Sequence, residues 1–433
     1  MKKHWLATTA ALSLAISSVS AFAEPQELIF KSAPAPQVLK VQSNELFSFG
    51  ASARSLQSDS LMQALRSDDN ILSVRPINVN TSLLDGSTST LTLNMGSGLE
   101  LTATNTQSYW ISSDYQVWAG DINTGADLSA TRGINTDRAV LVRSNGRVHG
   151  ELRMGDRVFS IQTTENGRHL LAEIDMTKLP QTDDTPLNVG VPFREAAASE
   201  PAPLETTGTS TIRVMQAATE DAIVALGGVG PTVDRMNFHL AQSNDVYSQN
   251  GLPIVLANGG LFRTGVNELP FMTDNLDGLV NTNDGYLDGL ATTTRNSQAA
   301  DIVTIITRTQ SSPFGGLCGI AAGIGVSQAQ GFFAMAAATS CANGFSFVHE
   351  LGHLFGARHD NDPSTAPFAF GHGFVNAGAG IRTIMAVNSN PQTRVGLFST
   401  DDQTFNGASL GNATVADNER VHAQRRGTIA SFR

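Results

Sequence analysis

The chain has 433 residues, a net charge of −11 and 15% charged residues, and its mean hydropathy is −0.08. The acidic balance argues against a nucleic-acid-binding protein, because such a protein carries a basic face. It argues equally against docking on an anionic membrane surface. A chain of this length exceeds one compact domain, so we expect two to three domains.

The first 23 residues have the pattern of an export signal. Lysines follow the initial Met, an apolar run continues to about Val19, and an Ala-x-Ala stretch at 21–23 precedes Glu24. We predict a signal peptide at 1–23, cleaved after Ala23, and hence a secreted protein, extracellular or periplasmic in transit. An uncleaved membrane anchor is the alternative, but the run is shorter than the ~20 apolar residues that a span needs. We therefore expect no stable membrane anchor.

Residues 24–180 predict a β-rich, antiparallel domain. Apolar and polar residues alternate with period two at 91–95, 99–102, 139–143 and 147–152. The dipeptides Asn145-Gly146 and Asn166-Gly167 lie between such runs, which is a strong hairpin signal. A Pro-, Ala-, Ser- and Thr-rich stretch follows at 181–209 and predicts an exposed linker, where proteolytic activation would occur.

From residue 210 to residue 433 the pattern becomes α/β. Predicted strands lie at 212–217, 253–257 and 301–306, and predicted helices at 233–247 and in part of 276–290. The Asx-rich stretch 274–288 misses the glycine and the closing glutamate of an EF-hand. Helix caps and turns explain that stretch better, so the sequence does not support a calcium site.

The strongest chemical signal begins at His349. His349 and His353 stand at i and i+4, so a helix presents both imidazoles on one face. Glu350, beside the first histidine, can reach a water on a shared metal ion rather than the ion itself. Gly356 can end the helix because glycine adopts positive φ freely, and that turn would bring His359 back as a third ligand.

Three imidazoles with one open position are typical of a catalytic zinc site, whereas structural zinc sites have four protein ligands. The alternative is a helix with incidental polar residues. It requires three His, one Glu and one Gly to fall at the required spacing by chance, although His and Gly number only 9 and 40 in the chain.

Two further features support this region. Met385 follows a Gly-rich loop 26 residues after His359, where a methionine turn beneath a metal would lie, although an isolated Met is more often core packing. Cys318 and Cys341 are the only cysteines, and an oxidising compartment would let them form a disulfide. A free reactive thiol is the alternative.

This combination resembles the metzincin zinc metalloproteases, and Asp360 after the third histidine resembles the adamalysin (reprolysin-like) branch. The sequence is most similar to the bacterial secreted peptidyl-Asp metalloendopeptidases. Beyond the histidine motif, the resemblance rests on four short segments over roughly 210–433: Cys318-Gly319-Ile320-Ala321, Phe370-Gly371-His372-Gly373-Phe374, Arg382-Thr383-Ile384-Met385-Ala386 and Ala416-Asp417-Asn418-Glu419-Arg420-Val421.

The resemblance implies an α+β fold: a metzincin catalytic domain, with a twisted mixed sheet and an active-site helix, after a β-rich prodomain. It implies one catalytic Zn²⁺ held by His349, His353 and His359, with Glu350 as the general base. Gly356 and Asp360 would be structural, the latter as an acid under the site, and Met385 would be the Met-turn residue.

The sequence departs from that pattern in three places. Val387 stands where some metzincins have a tyrosine, so tyrosine assistance is not expected. Ser389 replaces a further cysteine, which leaves a single predicted disulfide. Residues 24–209 contain no cysteine, so a propeptide thiolate cannot inhibit the metal.

We expect water attack assisted by Glu350 on a peptide that is aligned along an edge strand near Leu317–Gly325. The expected partners are protein or peptide substrates and the chain's own propeptide as an inhibitor, with no nucleic acid. A preference for acidic residues would need a fixed cation, for which Arg382 and Arg394 are candidates. His372 is predicted to be structural, with substrate contact as the alternative. Other possible functions are a catalytically idle zinc-binding or adhesive protein and a hydrolase of non-peptide amides.

Overall fold

The computed structural model describes residues 44–50, 56, 58–124, 136–180, 208–313, 315–387 and 392–433. The predicted signal peptide at 1–23, nearly all of the predicted linker at 181–209, and Ser389 lie outside the described residues. The described residues belong to one compact unit.

The first half of this unit is a closed β-barrel, with strand order β1-β2-β9-β8-β7-β6-β5-β4-β3. Its elements are β1 (Glu45–Phe49), helix α1 (Ser60–Ser67), β2 (Ile71–Val79), β3 (Thr90–Gly96), β4 (Leu99–Trp110), β5 (Gln116–Asn123), β6 (Arg138–Ser144), β7 (Arg147–Met154), β8 (Arg157–Thr163) and β9 (His169–Ile174). The β-rich character predicted for 24–180 is therefore present in the described residues.

The hairpins form where the Asn-Gly dipeptides predict them. Asn145 and Gly146 have φ of 46° and 79°, the left-handed pair that a type I′ turn requires between β6 and β7. One pair corrects the prediction of a wholly antiparallel domain, because β1 runs parallel to β3. Nine strands cannot alternate in direction all the way round a closed barrel, so one neighbouring pair has to be parallel.

The second half has mixed α/β structure. Its helices are α2 (Glu220–Ala225), α3 (Val229–Gln249), α4 (Met272–Val280), α5 (Arg295–Ser297), α6 (Thr339–Asn343), α7 (Ser346–Phe355) and α8 (Asn418–Ile429). Its strands are β10 (Ser210–Ala218), β11 (Ile254–Arg263), β12 (Ile302–Thr307), β13 (Ser311–Ser312), β14 (Gly315–Gly316), β15 (Gly319–Ala321), β16 (Phe332–Ala336), β17 (Val375–Asn376), β18 (Ile381–Arg382), β19 (Thr393–Arg394), β20 (Thr404–Phe405) and β21 (Ala408–Ser409).

Several element boundaries differ from the sequence prediction: β11 continues to Arg263, beyond the predicted 253–257, and two further elements are shorter than expected. The helix expected within 276–290 is α4, which ends at Val280 because an Asx-rich turn follows; there Asp284 accepts a hydrogen bond from the Tyr286 backbone N–H at 2.8 Å. The edge strand expected at Leu317–Gly325 is shorter and comprises only Gly319–Ala321.

The main sheet has the order β11-β10-β12-β16-β15. Its first four strands are parallel, and β15 pairs antiparallel with β16 at one edge. Alternate residues of the strands face opposite sides of a sheet, so Ile302 and Ile306 of β12 pack with α3 and α7, while Val303 and Ile305 pack with α4.

Helix α3 is enclosed between this sheet and the barrel. Met236 and Leu240 belong to the core beside the sheet, whereas Phe238 and Ala241 pack against barrel residues that include Val140. The barrel therefore rests on the back of a helix that also supports α7. In the described part of the chain, no helix is long and apolar enough to cross a membrane.

Candidate metal centre and active site

Helix α7 carries the first half of the predicted motif. Its apolar residues, including Val348, Leu351 and Leu354, are fully buried in the core, so packing fixes the direction in which the intervening histidines project. The helix ends at Gly356, whose φ of 119° is a positive value that a residue with a Cβ rarely adopts. The chain reverses there and returns His359 towards the helix.

The three histidines converge. Nε2 of His359 lies 3.2 Å from Nε2 of His349 and 3.1 Å from Nε2 of His353. All three side chains are buried, and the three residues form a cluster that could hold a metal ion. His372 is not a member of that cluster.

Backbone carbonyls orient two of these rings. Nδ1 of His349 lies 2.8 Å from the carbonyl oxygen of Ile384, and Nδ1 of His353 lies 2.9 Å from that of Ala357. Each Nδ1 therefore carries the proton and donates it to its carbonyl, which leaves the Nε2 lone pair facing the cluster. The turn at Gly356 thus supplies both the third histidine and the Ala357 carbonyl that fixes the second.

A metal ion fits this donor set. Tetrahedral zinc with Zn–N bonds of about 2.0–2.1 Å separates its nitrogen ligands by roughly 3.3–3.4 Å. The observed separations of 3.1–3.2 Å are within a few tenths of an ångström of that spacing. Zinc is one of the first-row divalent ions that neutral imidazole ligands suit. Three protein ligands leave one coordination position open.

Glu350 lies against the edge strand. Its side chain is fully buried, and a methyl group built on Gly319 of β15 would lie 2.7 Å from both its Cγ and its Oε1 atoms. The absence of a side chain at residue 319 therefore creates the space in which the carboxylate sits. This contact brings the predicted base to the sheet edge along which a peptide could be aligned.

The segment around Met385 lies beneath α7. A Cβ atom at Gly352, in the middle of the helix, would lie 2.5 Å from Sδ of Met385, so the glycine permits the methionine to approach the helix backbone. Asp360, directly after the third histidine, accepts a hydrogen bond from the Val387 backbone N–H at 2.9 Å. The carboxylate thereby ties the residue after His359 to the end of the methionine segment.

Cys318 and Cys341 form a disulfide, with their Cα atoms 5.1 Å apart. Cys318 directly precedes β15, and Cys341 lies in α6, immediately before α7. The bond therefore joins the sheet edge to the chain that leads into the helix bearing Glu350.

The three candidate substrate-binding residues make backbone contacts. Arg382 and Arg394 each donate to the carbonyl of Ala386 at 2.8 Å, and both side chains are largely buried. The ring nitrogens of His372 lie 3.1 Å from the carbonyl oxygen of Val415 and 2.9 Å from that of Ser364. These contacts give all three side chains structural partners in the loops that surround Met385.

Sequence reasoning assigned no role to several groups at this centre. The carbonyls of Ile384 and Ala357 belong to the backbone, so no side-chain motif marks them. Gly352 did leave a signal, because a glycine inside a helix costs about 1 kcal/mol relative to alanine and needs a packing reason. In Gly352 that reason is the approach of Met385.

A helix with two histidines, a glycine turn that returns a third, and a buried glutamate at a sheet edge together define a metal-dependent hydrolase. A family model described as Reprolysin_5, metallo-peptidase family M12, matches residues 208–399. The peptidyl-Asp metalloendopeptidase of Xanthomonas campestris pv. campestris is 33% identical over 353 residues, which cover 78% of this chain and 80% of the relative. That of Stenotrophomonas maltophilia strain K279a is 33% identical over 339 residues, covering 73% and 77%.

The chain therefore belongs to the M12 metallopeptidases, close to the peptidyl-Asp metalloendopeptidases. It is a metzincin-like zinc metalloendopeptidase by family, and proteins or peptides are its substrates. Among solved structures, metalloproteinase-II from Bacteroides fragilis is similar with a TM-score of 0.41 and 14% identity, covering 71% of this chain and 86% of that one. A similarity this low adds nothing to the assignment.

Proposed function

We propose that the protein is a secreted zinc endopeptidase, made as a zymogen, that prefers aspartate at the cleavage site. The observation that carries the catalytic part is the convergence of His349, His353 and His359 through Nε2 atoms 3.1–3.2 Å apart, with Glu350 on the same helix. The roles of these residues, of Met385 and of Asp360 are part of the proposal.

His349, His353 and His359 would hold the ion, and the carbonyl partners of Nδ1–H in His349 and His353 keep these two imidazoles neutral and oriented for ligation. When bound, zinc supplies Lewis-acid polarisation of the scissile carbonyl and lowers the pKa of water at the site to near 7. Glu350 takes a proton from the attacking water and passes it to the leaving amine. The outer edge of β15 aligns the peptide by adding it as a further strand.

The barrel and the linker form the prosegment in this proposal. The export signal at 1–23 directs secretion, and cleavage within 181–209 separates the barrel from the protease domain that starts near residue 210. Because residues 24–209 contain no cysteine, latency depends on a non-cysteine ligand or on filling of the cleft by the chain's own propeptide. Mass and N-terminal sequence of the secreted protein test both cleavages, and a single full-length species with protease activity would contradict them.

The aspartate preference rests on the names of the relatives. A carboxylate in the substrate needs a fixed cation, and no lysine follows Lys178, so an arginine must serve. Arg382 and Arg394 are the candidates, and His372 is the further candidate for substrate contact. Cleavage sites mapped on a peptide mixture test this: Arg394→Ala or Arg382→Ala should relax the preference, and an unchanged preference would remove that arginine.

The catalytic proposal is tested with purified protein on a casein gel. The processed parent protein should clear casein, a chelator should abolish clearing, and added zinc should restore it. Glu350→Ala should not clear casein although it keeps its metal. Equal clearing by Glu350→Ala would overturn the assigned base, and no clearing by any processed form would favour a catalytically idle zinc-binding protein.

A further inference from the structure

The barrel contacts the turn at which the active-site helix begins. Arg153 of β7 donates to the carbonyl oxygen of Asn343, the last residue of α6. Glu151, two residues earlier, accepts a hydrogen bond from the side-chain amide of Asn343 at 3.1 Å and pairs with Arg153 at 3.1 Å. All three residues are at least 96% buried, so these charged contacts lie inside the interface between the barrel and the protease half.

Phe345, the residue before α7, has an unfavourable backbone conformation. Its φ of 64° and ψ of 20° are left-handed, which is rare for a bulky side chain. Such a conformation persists only where the surrounding structure imposes it, and it is frequent at functional sites. Here the Arg153 guanidinium lies 4.4 Å from the centre of the Phe345 ring, and the ring also packs against Gly396, where a Cβ atom would be 2.9 Å from Phe345 Cζ.

This turn is connected directly to the metal centre. The carbonyl oxygen of Phe345 accepts the backbone N–H of His349 at 3.0 Å, the first hydrogen bond of α7 that involves a metal-binding residue. The preceding carbonyl, of Gly344, accepts from Arg394 at 3.1 Å, and the same guanidinium holds the carbonyl of Ala386, next to Met385. The position of Phe345 therefore affects both the helix and the methionine segment.

We propose that the barrel positions the active-site helix: Glu151 and Arg153 hold the turn Asn343–Phe345, in which Phe345 is left-handed, and α7 with His349 starts from this turn. The barrel then does more than block the cleft. This inference rests on the proposed function in one respect, that His349 is a metal ligand. Arg153 and Phe345 are then positioning residues.

Other contacts keep the barrel docked when Arg153 is removed. Arg147 pairs with Asp234 of α3 at 2.7 Å, Tyr115 donates to the same carboxylate at 3.0 Å, and Arg138 pairs with Asp245. These pairs lie along α3 rather than at the turn. A change at Arg153 can therefore disturb the start of α7 without detaching the barrel.

The test compares Arg153→Ala with Arg157→Ala in the full chain, on a Glu350→Ala background, purified with zinc as the species whose mass shows that the barrel is still attached. Arg157 is the control because it also lies over a phenylalanine, 4.9 Å from the centre of the Phe159 ring, and pairs with Glu173 at 2.8 Å, but its side chain is half exposed and both partners belong to barrel strands. Hydrogen exchange is followed in peptides that cover α7 and α3, and zinc affinity is measured by competition with a chelator.

Arg153→Ala should speed exchange at the start of α7 and weaken zinc binding, each by roughly tenfold, because it removes a buried charged hydrogen bond and a cation–π contact. Arg157→Ala should leave both as in the parent, and Arg153→Lys, which keeps a donor and a cation, should lie in between. Unchanged α7 exchange in Arg153→Ala would overturn the inference, as would equal acceleration along α3, since that would reflect loss of docking. Neither hydrogen exchange nor zinc affinity depends on catalytic turnover. Clearing of casein by Glu350→Ala would therefore contradict the proposed function and leave this inference standing.

Discussion

Gly319, the first residue of the edge strand, should limit where the Glu350 carboxylate can lie. A methyl group at residue 319 would be 2.7 Å from Glu350 Oε1, which is 0.7 Å inside the 3.4 Å at which ordinary contact begins. Glu350 is fully buried, so its carboxylate has no open solvent into which it can swing. Gly319→Ala therefore displaces the carboxylate by most of an ångström within a packed site.

A misplacement of about 1 Å at a reacting group costs on the order of 100-fold in rate. We expect Gly319→Ala to lower kcat by roughly that factor, equivalent to about 2.7 kcal/mol in the barrier, while KM changes little. Zinc content should be unchanged because the three atoms nearest to the added methyl group all belong to Glu350 and none to a histidine. Alanine also has no β-strand disadvantage relative to glycine, so stability should fall by no more than about 1–3 kcal/mol.

The assay is hydrolysis of a quenched peptide, with kcat and KM determined separately and zinc content measured on the same samples. Gly323→Ala is the matched control, because its methyl group would lie 3.3 Å from Val326 Cγ1 and does not contact Glu350. Parental kcat in Gly319→Ala would refute the placement of the base at the sheet edge. An equal loss in Gly323→Ala would show that any added methyl group here disturbs the sheet.

Three further results are expected. Replacing Cys318 and Cys341 by serine removes a cross-link between residues 23 apart in the sequence and should lower the free energy of unfolding by about 3 kcal/mol in urea titrations; an unchanged midpoint would contradict a stabilising disulfide. Asp360→Ala removes the charged acceptor of the Val387 N–H and should lower the free energy of unfolding by about 1.5–3 kcal/mol in the same titrations. Asp360→Asn keeps a neutral acceptor and should lower it less. Equal losses in the two variants would argue against this hydrogen bond. Burial raises the pKa of Glu419 from 4.5 to about 7, so the stabilising effect of the protonated side chain is present below pH 4.5 and is lost as the pH rises through 7. The Tm of the parent should therefore fall between about pH 5 and 8 more than the Tm of Glu419→Gln. Parallel Tm curves for the two proteins would contradict this linkage.

The local parts of the metal centre were predictable from the sequence. Histidines at i and i+4 and a glycine before the third histidine define a helix, a reversal and a return, and the structure has all three between Ser346 and His359. The disulfide was also predicted correctly, because a single pair of cysteines in an exported chain leaves one choice. The histidine motif could be read correctly because its residues are close in the sequence. The disulfide could be predicted because the sequence offers only one pair of cysteines.

Tertiary contacts were not predictable in the same way. Arg382 and Arg394 were singled out because lysine is absent from this half of the chain, yet their shared contact with the Ala386 carbonyl depends on how distant loops meet. The contact of Gly319 with Glu350 likewise joins residues 31 apart in the sequence. No periodicity or motif encodes either contact.

Barrel closure shows the same limit in the first half. Asn145-Gly146 predicts its own hairpin because the turn geometry is local. The parallel pairing of β1 with β3 follows only from the number of strands in the completed barrel. The strained Phe345 is a further example, since nothing in its sequence neighbourhood predicts a left-handed aromatic residue.

The central claim, a three-histidine metal centre, is tested most directly by zinc content. We predict one zinc per chain in the parent protein and in Glu350→Gln after dialysis against a weak chelator. His359→Ala should lose its zinc under the same conditions, because two imidazoles do not retain the ion without the third. Full zinc retention in His359→Ala would contradict the account.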